Sequence, residues 1–249
     1  MKISVITVCF NNRSGLEKTI ESVIGQTYQN LEYIIIDGGS KDGTVELVQK
    51  YQQKFPIIFI SELDEGIYDA MNKGIKIASG EWLNFMNSGD TFYQPDSISL
   101  AAKYLSKDND IVYGNTEIRY NNFKIIKKEP RPNKLWMGRI PHQSAFIKAS
   151  TMKKYQYNKS NKIVADLEFF MRVYFDGGKI KNVQEVFSSF SKDGLTEKFD
   201  QQVVKDAYKT VKKLKPGIIV DLYYNALKVK PIIKKILPKK VFKFIKTKI

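Results

Sequence analysis

Three observations in the sequence predict an α/β fold in which a mostly parallel central sheet is flanked by helices. Over the first hundred residues, short β-rich apolar runs alternate with stretches whose apolar side chains recur at helical intervals. Glycine, asparagine and aspartate form turns between these segments. With 43% hydrophobic and 12% aromatic residues among 249, the composition is that of a globular protein. Strands separated by amphipathic helices are typical of βαβ units, whose strands run parallel.

The predicted elements follow a regular order along the chain. Strands are predicted at 3–10, 31–36, 57–60 and 82–86, with helices from Ser14, at 45–51 and at 65–78. Ser14 and Glu17 have the spacing of a capping box, which would start the first helix. After residue 100, strands are predicted at 111–113 and 116–127, a helix at 166–175 and a late strand at 180–190.

Polar turns follow three of the predicted strands. These turns are Asn11–Arg13, the segment from Asp37 onward, and Asn87–Asp90. In open parallel sheets, ligands bind beyond the carboxyl ends of the strands. We therefore expect the three turns to converge on one cleft lined by carboxylates and amides.

Several common sites are excluded by the residues that the chain lacks. The turn after the first strand has no G-x-G-x-x-G pattern, and no P-loop pattern occurs. One histidine and one cysteine cannot supply the usual ligands of a zinc site. Cys9 lies inside the first apolar run, so we interpret it as a buried strand residue rather than a nucleophile.

The positive charge is concentrated near the C-terminus. The net charge is +15, and residues 201–249 contain 14 lysines but only two acids, Asp206 and Asp221. The sequence therefore predicts a body at 1–200 and a basic amphipathic helical tail at 201–249. Lysines beside apolar pairs favour helices lying on an anionic membrane surface. The alternatives are a packed or oligomeric helix with a solvated basic face and nucleic-acid binding, and we expect no nucleic acid.

The N-terminal run is too short and too poorly flanked for a secretory signal. No apolar run approaches the length of a membrane-spanning helix. We therefore expect a cytoplasmic protein, held peripherally on the inner face of the cytoplasmic membrane.

Several ordered motifs resemble one family of enzymes. They read VITVCFNN (5–12), QTY (26–28), IDGGSKDGT (36–44), DEGIYDAMNKG (64–74) and ASGEW (78–82). The sequence resembles family 2 glycosyltransferases, which have the GT-A (Rossmann-like) fold. It is most similar to the bacterial branch that builds capsule, exopolysaccharide and lipopolysaccharide glycans.

The resemblance implies a nucleoside diphosphate sugar as donor and assigns residues to it. The implied donor contacts are Phe10, Asn12, Asp37, Asp64, Asn72, Lys73, Asn87 and Ser88. Asp37 corresponds to the family's acid near the nucleoside, and the alternative is a residue that shapes its own turn. Gly38 stands where the family often has a second acid. Lys73 would meet a phosphate or remain a solvated lysine.

The segment Asn87–Asp90 occupies the position of the family's acidic metal motif. The resemblance implies a divalent cation, Mn²⁺ or Mg²⁺, bridging the donor diphosphate and bound by Asp90 and the side-chain carbonyl of Asn87. Asn87 and Gly89 replace two acids of that pattern, so the charge offered to a metal is small. The alternative is a plain polar turn with a helix cap.

The segment from Val164 to Phe170 resembles the part of the family that carries the catalytic base. The resemblance implies that Asp166 takes the proton of the acceptor hydroxyl in an inverting transfer. The alternative for Asp166 is an ordinary helix N-cap. His142 and Glu168 are assigned to the acceptor side, with a structural role as the alternative for the lone histidine.

The expected reaction is sugar transfer to a hydroxyl of a growing glycan or a lipid-linked acceptor in bacterial surface glycan assembly. A second hypothesis is a non-catalytic nucleotide or sugar binder that has lost its metal acids. A third is a surface-binding protein driven by the tail alone.

Overall fold

The structure is a computed structural model and describes residues 1–120, 122–138, 140–191 and 200–236. The chain divides into two compact units, Met1–Gly194 and Leu195–Ile249. The larger unit holds the sheet and all the predicted site residues, and the smaller one holds the predicted basic tail.

The N-terminal half of the larger unit alternates strands and helices, as predicted. Its elements are β1 (Ile3–Cys9), α1 (Arg13–Ile24), β2 (Leu31–Asp37), α2 (Thr44–Gln52), β3 (Ile57–Ser61), α3 (Ile67–Ile77) and β4 (Trp82–Phe85). β1 pairs in parallel with β2 and β4, and β2 pairs in parallel with β3. Every side chain of β1 is buried, which is typical of a parallel strand covered on both faces. Cys9 is buried as predicted, and burial raises the pKa of its thiol.

The C-terminal half of this unit has a different construction. Its elements are β5 (Thr91–Phe92), α4 (Ser97–Ala102), β6 (Ile111–Arg119), β7 (Lys124–Lys127), two 3₁₀ turns (Pro132–Met137 and His142–Ser144), β8 (Ala145–Lys148), α5 (Ala149–Tyr155), α6 (Ala165–Phe175) and β9 (Ile180–Ser191). β8 runs antiparallel to both β4 and β6, and β9 runs parallel to β6. Among the described residues, the strands form one sheet in the order β3-β2-β1-β4-β8-β6-β9-β5, with β7 beside β6.

The start of α1 differs from the prediction. Asn12, not Ser14, precedes the helix, and its side chain accepts a hydrogen bond from the backbone N–H of Gly15 at 3.3 Å. Asparagine is among the best N-cap residues, so it takes the cap two residues before the predicted capping box begins.

The strand predicted at 116–127 is two strands. β6 ends at Arg119 and β7 begins at Lys124, and they pair antiparallel, with Thr116 opposite Lys127. A backbone hydrogen bond of 2.8 Å from Tyr120 to Phe123 closes the reversal. Alternating side chains fit both strands of a hairpin equally well, so the pattern did not reveal the turn between them.

The three polar turns lie together, as predicted, because β1, β2 and β4 run parallel and end at the same edge. The side chain of Asn12 donates to the carbonyl oxygen of Ser88 at 3.1 Å. The backbone N–H of Asn11 donates to the Ser40 hydroxyl at 2.7 Å, and that of Arg13 donates to Asp42 at 2.8 Å. These hydrogen bonds join the end of β1 to both neighbouring loops.

The described part of the smaller unit consists of two helices, α7 (Asp200–Leu214) and α8 (Ile218–Ile236). Asp221 accepts hydrogen bonds from the Tyr208 hydroxyl at 2.6 Å and from Lys212 at 2.9 Å, and these bonds join the two helices. The rest of the predicted tail, 237–249, lies outside the described residues. Among the helices that are described, none combines the length and the apolar character needed to cross a bilayer.

Candidate active site

Asp37 ends β2 with its side chain fully buried. Its Oδ2 accepts hydrogen bonds from the backbone N–H groups of Gly39 at 3.2 Å and Ser40 at 2.9 Å, and from the Ser61 hydroxyl at 2.7 Å. The Ser40 hydroxyl donates to its Oδ1. The carboxylate therefore holds the loop after β2 in place, and its contact with a donor remains a prediction.

Asp64 and Phe10 close over the backbone at Gly38. A Cβ atom on residue 38 would lie 2.5 Å from Asp64 Oδ2 and 3.3 Å from the Phe10 ring, so a side chain at this position requires the Asp64 carboxylate to move aside. Asp64 Oδ1 accepts a hydrogen bond from the backbone N–H of Gly66 at 2.8 Å. The Phe10 side chain is 63% exposed. An exposed ring next to a carboxylate can stack on a planar base and accept hydrogen bonds from it.

The turn at 87–90 is held against α1. The Thr19 hydroxyl donates to the carbonyl oxygen of Asp90 at 2.8 Å and accepts from the backbone N–H of Gly89 at 2.9 Å. The Asn12 side chain is also 3.2 Å from the Ser88 hydroxyl. Asn12 and Ser88, both predicted donor contacts, are thus brought together.

Asn72 and Lys73 make other contacts within the protein. Asn72 is buried and exchanges two hydrogen bonds with the backbone of Tyr157, at 2.8 and 3.0 Å. Lys73 forms an ion pair with Glu62 at 2.8 Å and donates to the carbonyl oxygen of Leu63 at 2.7 Å. None of these contacts joins the two residues to the cluster of turns, and their donor roles remain predictions.

The position of the metal motif carries one carboxylate, that of Asp90. Asp90 Oδ2 accepts a hydrogen bond from the side chain of Gln143 at 2.6 Å. Burial raises the pKa of Asp90 to about 6, against the opposing effects of Gln143, His142 and Arg119. A raised pKa is typical of a carboxylate that is buried away from water.

A divalent cation fits these residues only under one condition. No group of three or more histidine, cysteine or acidic side chains suited to a metal occurs in the part of the chain that the structure describes. Asn87 Oδ1, however, is a buried oxygen without a hydrogen-bond partner among those residues. One carboxylate and one amide oxygen match a magnesium-like cation that takes its remaining ligands from phosphates and water. They do not make a site built from protein ligands alone.

Asp166 lies in the first turn of α6, after Val164 at the N-cap, so it is not the cap itself. It is 6% exposed, and its Oδ1 accepts hydrogen bonds from the Tyr68 hydroxyl at 3.2 Å and the backbone N–H of Leu167 at 2.9 Å. The N-terminal end of a helix favours a negative charge, so this carboxylate is placed to stay ionised.

His142 connects the metal-motif position to Asp166. The Asn87 amide nitrogen lies 2.9 Å from His142 Nε2. With the Asn87 amide nitrogen donating to Nε2, the proton of a neutral imidazole would be on Nδ1. His142 Nδ1 lies 3.9 Å from Asp166 Oδ2, too far for a hydrogen bond, and has no hydrogen-bond partner among the described residues. The structure therefore brings three predicted site residues into one chain of contacts.

Comparison with known proteins decides the family. The model of the family described as Glycosyl transferase family 2 matches residues 4–177. The chain belongs to glycosyltransferase family 2. A PGL/p-HBAD biosynthesis glycosyltransferase of Mycobacterium bovis is 28% identical over 176 residues, which are 69% of each chain. A glycosyltransferase of Mycobacterium tuberculosis is 37% identical over 179 residues, which are 68% of each chain.

Solved structures confirm the predicted GT-A fold of this glycosyltransferase. Mannosyltransferase PcManGT from Pyrobaculum calidifontis, in complex with GDP-Man and Mn²⁺, has a TM-score of 0.70 at 15% identity, with 99% of this chain and 79% of that chain covered. S. aureus TarS 1–349, in complex with UDP-GlcNAc, has a TM-score of 0.68 at 16% identity, with 92% of this chain and 71% of that chain covered.

Glu168, the second predicted acceptor-side acid of this glycosyltransferase, makes different contacts from Asp166. It accepts hydrogen bonds from the side chains of Asn158 at 3.1 Å and Asn161 at 2.8 Å. Residues two apart on a helix point to nearly opposite sides, so the two acids cannot face the same group. Glu168 stabilises the loop before α6, and its acceptor role remains a prediction.

Two residues at the glycosyltransferase's site were missed in the sequence. Gln143 is the partner of Asp90, and its position next to His142 was the one available signal. Tyr157 packs against Tyr68 with ring centroids 5.3 Å apart, and its hydroxyl is buried without a hydrogen-bond partner among the described residues. Burial and the negative charge of Asp166 raise the pKa of Tyr157. Tyr157 stands in an irregular segment, where no periodic pattern could mark it.

Proposed function

We propose that this glycosyltransferase moves a sugar from a nucleoside diphosphate sugar to an acceptor hydroxyl with inversion, and that Asp166 is the base. The observation that carries the proposal is the gap of 3.9 Å between His142 Nδ1 and Asp166 Oδ2. A hydroxyl oxygen placed about 2.8 Å from each atom would bridge the two. It would accept the Nδ1 proton as a hydrogen bond and donate its own hydrogen bond to Asp166.

In this arrangement each part of the reaction has an assigned group. The acceptor oxygen loses its proton to Asp166 as it bonds to the anomeric carbon, and the nucleoside diphosphate leaves from the opposite face. His142 orients the acceptor through Nδ1 and is itself oriented by Asn87 through Nε2. A hydroxyl held between a donor and a base keeps its lone pair directed at the sugar.

The donor would lie across the three turns. Phe10 and Asp64 would contact the base, with Asp37 maintaining the loop beside them, and Asn12 and Ser88 would meet the sugar or phosphates. Asn72 and Lys73 would reach the donor only after releasing their present partners. The solved complexes of PcManGT with GDP-Man and TarS with UDP-GlcNAc support this class of donor for a chain of the same fold.

Asp90 and Asn87 would hold a divalent cation once a diphosphate supplies further ligands. A bound Mn²⁺ or Mg²⁺ would neutralise the charge that develops on the leaving diphosphate. The Mn²⁺ in the PcManGT complex supports a metal at this fold. Because the chain offers one carboxylate, we expect cation binding to depend on the nucleotide.

The acceptor would be a glycan or lipid-linked hydroxyl in bacterial surface glycan assembly, with the enzyme on the inner face of the cytoplasmic membrane. The relative named as a PGL/p-HBAD biosynthesis glycosyltransferase supports a biosynthetic role of this kind. The 14 lysines in residues 201–249 support attachment to anionic lipid.

A second candidate function is a nucleotide or sugar binder without turnover. The observation that favours it is the pairing of Asp90 with Gln143 in place of a cluster of acids. Nucleotide release from a panel of sugar donors, with and without Mn²⁺ or Mg²⁺, separates the two. Metal-stimulated release that rises when an acceptor is added supports transfer. Tight nucleotide binding with no release under any condition would leave the binder as the function.

A further inference from the structure

The β6–β7 hairpin exposes an apolar surface on the catalytic unit. Phe123, Ile125 and Ile126 are 57%, 41% and 45% exposed. The Tyr120 ring stacks on Phe123 with centroids 4.3 Å apart and planes within 11°. We call Phe123, Lys124, Ile125, Ile126 and Lys128 the hairpin surface. The ring stacking and the pairing of β7 with β6 place these apolar side chains on the surface of the unit.

Positive charge lies beside these apolar side chains. Residues 118–128 include four basic residues and no acid. The two nearest acids in the sequence are largely buried, and each is paired with a lysine: Glu117 lies 3.5 Å from Lys124 and accepts a hydrogen bond from Ser189 at 2.7 Å, and Glu129 is buried with Lys127 at 2.8 Å. Lys124 is 63% exposed. The hairpin surface therefore presents apolar and cationic groups together, with the acids held beneath it.

The lysines make a further β-strand an unsuitable occupant. β7 pairs with β6 alone among the described strands, so its outer edge is exposed. Lysines along an edge strand oppose the addition of another strand, since their charge would be buried between the chains. An anionic lipid surface has no such cost, because the lysines meet headgroup phosphates while the aromatic and branched side chains enter the boundary of the acyl chains.

We propose that the hairpin surface is a membrane contact of the catalytic unit itself, separate from the basic tail, and that its occupant is an anionic lipid surface. The strand that carries it is tied to the candidate active site. Arg119 donates to the Thr91 hydroxyl at 3.1 Å, next to Asp90. Thr116 lies 2.8 Å from Ser144, next to Gln143. A docked hairpin would set the distance between the cleft and the lipid headgroups.

The test uses the full chain with Phe123→Trp and vesicles of phosphatidylglycerol and phosphatidylcholine whose acyl chains carry bromine. Bromine quenches tryptophan only within the bilayer, so the emission reports on the hairpin and not on the tail. We expect the variant to gain quenching relative to the parent, whose own tryptophans provide the background. Vesicles of phosphatidylcholine alone should give no gain.

Matched charge variants test how much the lysines contribute to membrane binding. Lys124→Gln with Lys128→Gln should reduce partitioning into anionic vesicles by roughly 25-fold, since each lysine near such a surface contributes roughly fivefold. Lys50→Gln with Lys54→Gln, two exposed lysines near β3 at the opposite edge of the sheet, should leave it unchanged. Ile58→Ser, at 42% exposure, is the apolar control for Ile126→Ser.

Two results would overturn the proposal. Vesicle pelleting without a gain in quenching would assign binding to another part of the chain. A dimer seen by light scattering without lipid, lost in Phe123→Ser, would make a second copy of the chain the occupant. Nucleotide release measured without vesicles should be the same in all hairpin variants, so failure of this proposal differs from failure of sugar transfer.

Discussion

On the donor side of the cleft, the buried carboxylate of Asp37 accepts hydrogen bonds from two backbone N–H groups and two hydroxyls. On the reaction side, Asn87 Oδ1, His142 Nδ1 and the Tyr157 hydroxyl are buried and have no hydrogen-bond partner among the described residues. A buried polar atom without a partner costs stability. The polar groups of the proposed donor side therefore hold loops, whereas those of the proposed reaction side have atoms that a ligand could pair. Substitutions on the donor side should lower stability first, whereas substitutions on the reaction side should lower turnover.

The largest effect is expected on the reaction side, from Asp166→Asn. Loss of a general base lowers turnover by roughly 10²–10⁴-fold, because the acceptor proton has no group to receive it. Nucleotide binding and the midpoint of thermal unfolding should remain close to those of the parent. Asp108→Asn, at an exposed acid outside the candidate site, is the control. Retained transfer in a folded Asp166→Asn protein would exclude this residue as the base.

On the donor side, Asp37→Asn should act first on stability. The amide has one accepting oxygen in place of two, so at least one hydrogen bond from the two backbone N–H groups and the Ser40 and Ser61 hydroxyls is lost or must reverse, and the free energy of unfolding should fall by about 1–3 kcal/mol. Urea unfolding of the parent and the variant measures it. An unchanged unfolding midpoint with a large rise in the donor KM would show that Asp37 serves the donor and not the loop.

Glu32, at the opposite end of β2 from Asp37, is a stabilising carboxylate whose contribution depends on pH. Burial opposes its ionisation, but hydrogen bonds from Lys2, Ser4 and Ser79 outweigh burial and lower its pKa to about 2. A lowered pKa stabilises the fold fully above the unfolded value near 4.5, and this stability is lost as the pH falls toward 2. Glu32→Gln should therefore lower the free energy of unfolding at pH 7 by up to about 3 kcal/mol. In urea unfolding, the difference from the parent should shrink with falling pH; a difference independent of pH would contradict the assignment.

The smallest effect is expected from His142→Gln. Turnover should fall roughly tenfold, about 1.4 kcal/mol, because the acceptor hydroxyl loses the Nδ1 donor. Unfolding should change little, since Nδ1 forms no hydrogen bond among the described residues and the glutamine side-chain oxygen can accept from Asn87 in place of Nε2. Steady-state kinetics and thermal unfolding, measured together, check both statements. A large loss of stability with unchanged turnover would make this histidine structural.

The two sides also differ in how much of them the sequence predicted. The strands and turns of the donor side follow local periodicity, and their parallel arrangement alone brings Asn12, Asp37 and Ser88 to one edge. The reaction side depends on the antiparallel pairing of β8 with β4, where Asn84 lies opposite Phe146. That pairing brings His142 and Gln143 to Asn87 and Asp90 across more than fifty residues. No local pattern encodes such a register, so the motifs identified His142 and Asp166, whereas Gln143 and Tyr157 were missed.

The space above Gly38 couples two positions in evolution. A side chain there would collide with the Asp64 carboxylate, so a descendant of this chain can acquire a second acid after Asp37 only if residue 64 becomes smaller or moves away. A side chain at position 38 alone would press against the Asp64 carboxylate, and a smaller residue at position 64 alone would leave an empty space. Positions 38 and 64 should therefore vary together among related enzymes, and a designer who alters one should alter both.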